Sequence, residues 1–180
     1  NASPILAYPF KSGDAILGYL RKQLHSSRGN TAYRINKFGN IEKCADSSGD
    51  PVNIIGANDP RITYDRNDTG CLGMLIEEST DNLLSSTDDY GGETGVTVSN
   101  TAYTLSFYGS GDVTLSGVHS ETVSGTGKYI RTTYSFTPSS GDLDLSVNGD
   151  VLYAQLEEKS FATSYIAGAD GTRNRDEIYA

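Results

Sequence analysis

Apolar and polar residues alternate with a period of two over much of 103–166. Tyr103, Leu105 and Phe107 interleave with Thr104, Ser106 and Tyr108. The alternation returns at Val113/Leu115, at Ile130/Thr132/Tyr134/Phe136 and at Leu143/Leu145/Val147. Glycine- and serine-rich turns separate these runs, at Gly109-Ser110-Gly111-Asp112, Ser139-Ser140-Gly141 and Asn148-Gly149. Short alternating runs bounded by turn residues predict an all-β antiparallel sandwich or barrel, with this stretch as its core. Each buried Leu, Val or Phe there contributes about 1.5–3 kcal/mol.

Asn148-Gly149 sets an expected register. Both central residues of a type I′ turn need positive φ, which Asn and Gly tolerate. A two-residue hairpin loop there sets Val147 opposite Asp150, Leu145 opposite Leu152 and Leu143 opposite Ala154. Opposed residues share a face, so Leu143, Leu145, Leu152, Ala154 and Leu156 are expected in the core. The other face then carries Asp142, Asp144, Tyr153, Gln155 and Glu157. Of these, Asp142, Asp144, Tyr153 and Gln155 are the candidate ligand-binding residues, because a Tyr ring stacks on sugar while Asp and Gln bond hydroxyls. A solvated or subunit-facing surface is the competing reading.

Upstream, 1–11 reads as an extended arm with Pro4 and Pro9. A short helix is predicted next, with Ser12 as N-cap, Asp14 in the first turn and Arg21 and Lys22 near the C-terminal end. Ile16, Leu20 and Leu24 form a narrow apolar stripe on it. About a dozen residues of helix need a docking partner. This arm and helix, 1–27, is expected to serve attachment or oligomerisation, and 28–180 to form the sandwich module. Hairpins are predicted from 31–35 with 41–43 around Gly39-Asn40, and from 61–65 with 71–77 around Asp68-Thr69-Gly70.

The 180 residues carry a formal charge of −9, split as −3 over 1–90 and −6 over 91–180. An acidic chain without a basic cluster repels phosphate backbones, so nucleic acid is not an expected partner. Apolar runs stop at four or five residues, too short for a spanning helix, so membrane insertion is not expected. Cys44 and Cys71 are the only cysteines. They could bridge, but a chain of this length builds a core without a staple, so a reduced, partly buried pair is expected. The sequence starts at Asn1, bulkier than residues after which an initiator Met is trimmed, which points to maturation cleavage or a truncated start.

Arg28, Ala32, Tyr33, Gly39 and Ile41, then Asn58-Asp59-Pro60-Arg61 with Tyr64-Asp65, then Gly73-Met74-Leu75-Ile76-Glu77-Glu78 and Asn82-Leu83-Leu84 form an ordered series of runs. Together they resemble a bacteriophage virion fibre or spike module. The likeness resumes at 103–111, 133–138 and 142–147. It closes on 153–166, with Gln155-Leu156-Glu157-Glu158 and Ala162-Thr163-Ser164-Tyr165-Ile166, followed by Thr172-Arg173. Met74 and Asp81 depart from the pattern, and 85–95 lacks the Trp-containing segment common in similar chains. The resemblance implies a jelly-roll-like β-sandwich in a fibre, spike or decoration protein of the virion, assembled in the host cytoplasm. It further implies a homotrimer with other virion proteins as neighbours, and it identifies neither ligand nor cofactor; contact with host-surface glycan is the further role expected of such a surface. A carbohydrate-binding module of a polysaccharide depolymerase is the alternative function.

Catalytic motifs are weak. Asp65-Arg66-Asn67-Asp68-Thr69-Gly70 matches half a calcium loop, but Ile76 stands where a bidentate Glu is required, so a hairpin turn is expected. Gly125-Thr126-Gly127-Lys128 fails the phosphate-loop pattern on both sides, at Thr122 and Tyr129. No serine sits in a G-x-S-x-G elbow, and His25 and His119 are the only histidines. The adjacent acids Glu77-Glu78 and Glu157-Glu158 are expected to face opposite ways on their strands. The chain is therefore read as not an enzyme, with no metal site.

Overall fold

The computed structural model describes residues 25–27, 32–44, 61–85, 87–168 and 171–179. The expected N-terminal helix and most of the arm lie outside them. Fifteen strands form among the described residues, and no helix. They are β1 (His25–Ser27), β2 (Ala32–Ile35), β3 (Ile41–Cys44), β4 (Arg61–Tyr64) and β5 (Cys71–Leu75). After β6 (Thr80–Asp81) come β7 (Gly92–Val98), β8 (Tyr103–Gly109), β9 (Asp112–Gly117) and β10 (Glu121–Ser124). The series ends with β11 (Gly127–Phe136), β12 (Gly141–Asn148), β13 (Leu152–Glu157), β14 (Thr172–Arg173) and β15 (Glu177–Tyr179). The chain gathers into two compact units, 1–80 with 172–180, and 81–171.

The first unit is built from strand pairs, β1 with β15, β2 with β3 and β4 with β5. Both predicted hairpins form. In the first, the Asn36 side chain accepts the N–H groups of Phe38 at 2.9 Å and Asn40 at 3.1 Å, closing the turn locally. In the second, the Asp65 carboxylate accepts the N–H groups of Asn67 and Asp68, and Asp68 accepts that of Gly70. The half-matched calcium loop is therefore a hairpin turn whose acids bind its own backbone. Cys44 is buried and Cys71 half-buried, and neither is in a disulfide.

Residues 81–171 form two antiparallel sheets, ordered β10-β9-β12-β7 and β11-β8-β13. One core lies between them, with Val96, Val98, Val113, Leu115, Leu143 and Leu145 from the first sheet. Tyr103, Leu105, Phe107, Phe136, Ala154 and Leu156 come from the second. This sandwich-like core is the one that the alternation predicted. Tyr90 joins it with its hydroxyl buried and without a hydrogen-bond partner. Burial, aided by Glu93, raises the Tyr90 pKa above its ordinary value. The neutral ring is thus favoured in the folded state, and its contribution holds below about pH 10 and is lost as pH rises beyond it. Tyr90→Phe removes an unsatisfied hydroxyl, so a gain of about 1 kcal/mol and a shallower alkaline decline are expected in denaturant titrations at neutral and high pH.

The expected hairpin at Asn148-Gly149 does not form. β12 pairs with β9 and β7, placing Leu145 opposite Leu115 and Val147 opposite Val113. β13 pairs with β8 in the other sheet, placing Leu152 opposite Tyr108 and Gln155 opposite Ser106. Gly149 has φ of 88° while Asn148 stays at negative φ, so a type I′ turn is absent and the dipeptide is a corner between sheets. Corners pack tightly there: a Cβ at Gly109, where φ is 121°, would lie 2.1 Å from the Asp150 carbonyl oxygen.

Candidate functional site

Correcting the register separates the expected ligand residues. Asp142 and Asp144 lie on β12, in the four-stranded sheet. The Asp144 carboxylate accepts the Gly95 N–H at 2.8 Å beside an irregularity in the β7–β12 pairing, and Asp142 accepts from the Thr97 hydroxyl at 3.4 Å. Tyr153 and Gln155 lie on β13, in the three-stranded sheet. The four residues do not share one surface.

Gln155 and Glu157 are both 0 % exposed. The polar face of the three-stranded sheet is covered by residues 158–168, which cross it as a strap. Gln155 Oε1 accepts the Ile166 N–H at 2.7 Å, and its Nε2 donates to the Ser164 carbonyl at 3.4 Å. Glu157 accepts the Thr163 N–H at 2.9 Å and the Thr163 hydroxyl at 2.5 Å. Arg131 reaches from β11 to the Thr163 carbonyl and, at 2.8 Å, to Ser106 Oγ. The Thr104 hydroxyl donates to the Lys159 carbonyl at 2.9 Å. A covering segment without its own sheet must satisfy its backbone groups with side chains, and these polar residues do so. The adjacent acids divide as expected, with Glu157 buried and Glu158 exposed.

Asn82 joins the same framework. Its Nδ2 donates to the carbonyls of Ile166 at 2.8 Å and Ala154 at 3.2 Å, while its Oδ1 accepts the N–H groups of Leu156 and Leu84. In the first unit, Arg61, Arg173, Glu77 and Asp176 form a buried ion network. Arg61 pairs with Glu77 at 2.9 Å and with Asp176, and Arg173 lies 3.2 Å from Glu77. Burial works against the Arg61 charge, but Glu77 and Asp176 outweigh it and raise its pKa, so the guanidinium stays ionised. Sequence reasoning missed both networks. The only signal was the unusual placement of Arg61, Glu77 and Asn82 within otherwise strand-like runs.

One end of the three-stranded sheet remains as a candidate surface. On β11 the residues between Gly127 and Thr132 face the single residue Tyr108, because Gly127 pairs with Gly109 and Thr132 with Phe107. On β13 the register also slips, between Leu152, opposite Tyr108, and Gln155, opposite Ser106. Tyr108 is thus flanked by irregularities on both sides. Tyr153 occupies the second with φ of 53°, a strained conformation for a bulky residue that costs on the order of 1–3 kcal/mol. Its half-exposed ring stands edge-on to Tyr108 at 6.3 Å and to Tyr165 at 5.2 Å. The Tyr165 hydroxyl lies 2.6 Å from that of Thr87 and donates to the Asp88 carboxylate. In the first irregularity, Tyr129 and Ile130 are each 52 % exposed. No group of three or more His, Cys, Asp and Glu residues placed to hold a metal ion occurs among the described residues. Comparison of the chain with family models, with curated proteins and with solved structures finds no match.

Proposed function

We propose that the chain is a non-enzymatic structural protein of a bacteriophage virion: a fibre, spike or decoration module. In this reading 81–171 is a jelly-roll-like sandwich. The protein works as a homotrimer on the particle, beside other virion proteins and in contact with host-surface glycan. The observation that carries the reading is the use made of the residues on which the phage resemblance rests. Arg61, Glu77, Asn82, Gln155, Glu157, Thr163 and Tyr165 are buried and bonded into the framework of their own unit. Side chains fixed in this way hold a shape and are not poised to move protons or attack a substrate, which suits a module that builds a surface.

A carbohydrate-binding module of a polysaccharide depolymerase is the second reading, favoured by the half-exposed Tyr153 and its edge-on neighbours. The two part on location. Gold-labelled antibody against the chain, applied to intact purified particles, is expected to decorate fixed positions on every particle. A chain abundant in the lysate but missing from particles by mass spectrometry would remove the virion reading.

A further inference from the structure

We propose that the irregular end of the three-stranded sheet is a stacking subsite for neutral saccharides. Tyr153, backed edge-on by Tyr108 and Tyr165, offers its exposed surface to the flat face of a sugar ring. Tyr129 offers a second ring on the opposite side of Tyr108 in register, and Asp88 accepts hydrogen bonds from sugar hydroxyls. The inference deepens the glycan contact within the virion reading and rests on that reading for its biological sense.

Three observations converge. Irregularities of strand pairing re-aim side chains, and here two of them flank one residue of the central strand. Positive φ at a tyrosine is a conformation that glycine would adopt without strain, yet the ring is kept in place by its neighbours on a partly open face. Aromatic rings with a nearby acceptor match a pyranose, which has an apolar C–H face and an equatorial rim of hydroxyls. Asp88 is exposed, and its carboxylate, which receives the Tyr165 hydroxyl, has acceptor capacity beyond that one bond.

Charge selects the class of sugar. Residues 81–171 carry twelve carboxylates against three cations, Lys128, Arg131 and Lys159. Arg131 is engaged by Ser106 and Thr163, Lys128 Nζ stands 5.8 Å from the centre of one face of the Tyr129 ring, and Asp88 and Asp89 are both exposed. The field of this unit disfavours uronate, sialate or phosphate polymers and leaves neutral glycans as the fitting ligands.

The test uses the full chain on immobilised hexasaccharides of glucose, galactose and mannose, with hexauronates as the anionic comparators. Wild-type protein is expected to be retained by at least one neutral series and not by the uronates. Tyr153→Gly is expected to weaken that binding at least tenfold and to lower the melting temperature, because the strain relieved at a φ of 53° only partly offsets the lost ring packing. Tyr129→Ser, at an exposed position, should weaken it severalfold without any loss of stability. No retention on any neutral series, stronger retention on uronates, or undiminished binding by either variant would overturn the subsite. If Tyr153→Gly fails to fold, the Tyr129→Ser result decides alone. A chain found on particles that binds none of these sugars removes this subsite and leaves the virion reading standing.

Discussion

Asn82→Ala is expected to destabilise residues 81–171 by about 3–5 kcal/mol, more than most single substitutions in the protein. The side chain is buried and makes four hydrogen bonds, all to backbone. It ties the segment before β7 to β13 and to the end of the strap at Ile166. Removing it leaves two carbonyls and two N–H groups in a dry setting, each costing about 1–3 kcal/mol before relaxation. Asn82→Asp is expected to be nearly as harmful, because an ionised carboxylate keeps the acceptors but turns repulsive oxygen toward the Ala154 and Ile166 carbonyls. Urea unfolding followed by near-ultraviolet circular dichroism measures both. A loss under about 1 kcal/mol for the alanine variant would show that these four bonds are replaceable.

Arg61→Met is expected to cost about 3–5 kcal/mol in the first unit, the range for stripping one partner from a buried ion pair. Arg61 is fully buried, donates to the Tyr33 carbonyl at 2.9 Å and faces both Glu77 and Asp176. Its loss takes a buried cation from beside both the Asp176 and the Glu77 carboxylates. Arg61→Lys is expected to fall between wild type and Met, since an ammonium keeps the charge but not the planar fork that meets three acceptors. Hydrogen exchange over β4, β5 and 172–176 should rise sharply in the Met variant while 103–157 is unaffected. Unchanged exchange in 172–176 would show that Arg61 does not hold that segment through Asp176.

Local signals were legible where the chain folds on itself. The hairpin turns near Gly39 and Asp68 depend on Asn36 and Asp65 side chains within a few residues of the bonds they make. Leu143, Leu145, Ala154 and Leu156 were placed correctly in the core even though their pairing partners were not. A period of two sets which face a residue takes, whichever strand lies alongside. Leu152, expected in the core with them, is only half-buried, because the slip beside it breaks the alternation. The partner could not be read, because Asn-Gly serves a corner between sheets as readily as a hairpin.

The polar face was illegible for a related reason. Thr104 and Ser106 read as a polar face and Gln155 and Glu157 as part of an outer surface, yet all are 0 % exposed. Alternation reports that one side of a strand is polar; it does not say whether water or a hydrogen-bonding strap lies over it. The ion network was further out of reach, since Arg61 and Asp176 are 115 residues apart and share no periodic pattern.

Gln155 and Glu157 hold 158–168 down as the closed face of the three-stranded sheet. Residue-resolved native-state hydrogen exchange tests it at two amides, those of Thr163 and Ile166. Both donate to these buried side chains, at 2.9 and 2.7 Å. Protection at Thr163 and Ile166 is expected within about tenfold of that at Leu156 in the neighbouring strand, as for amides that open only with the core. Exchange at the rate of the exposed Ser110 turn would contradict it, and would return 158–168 to the status of an ordinary surface loop.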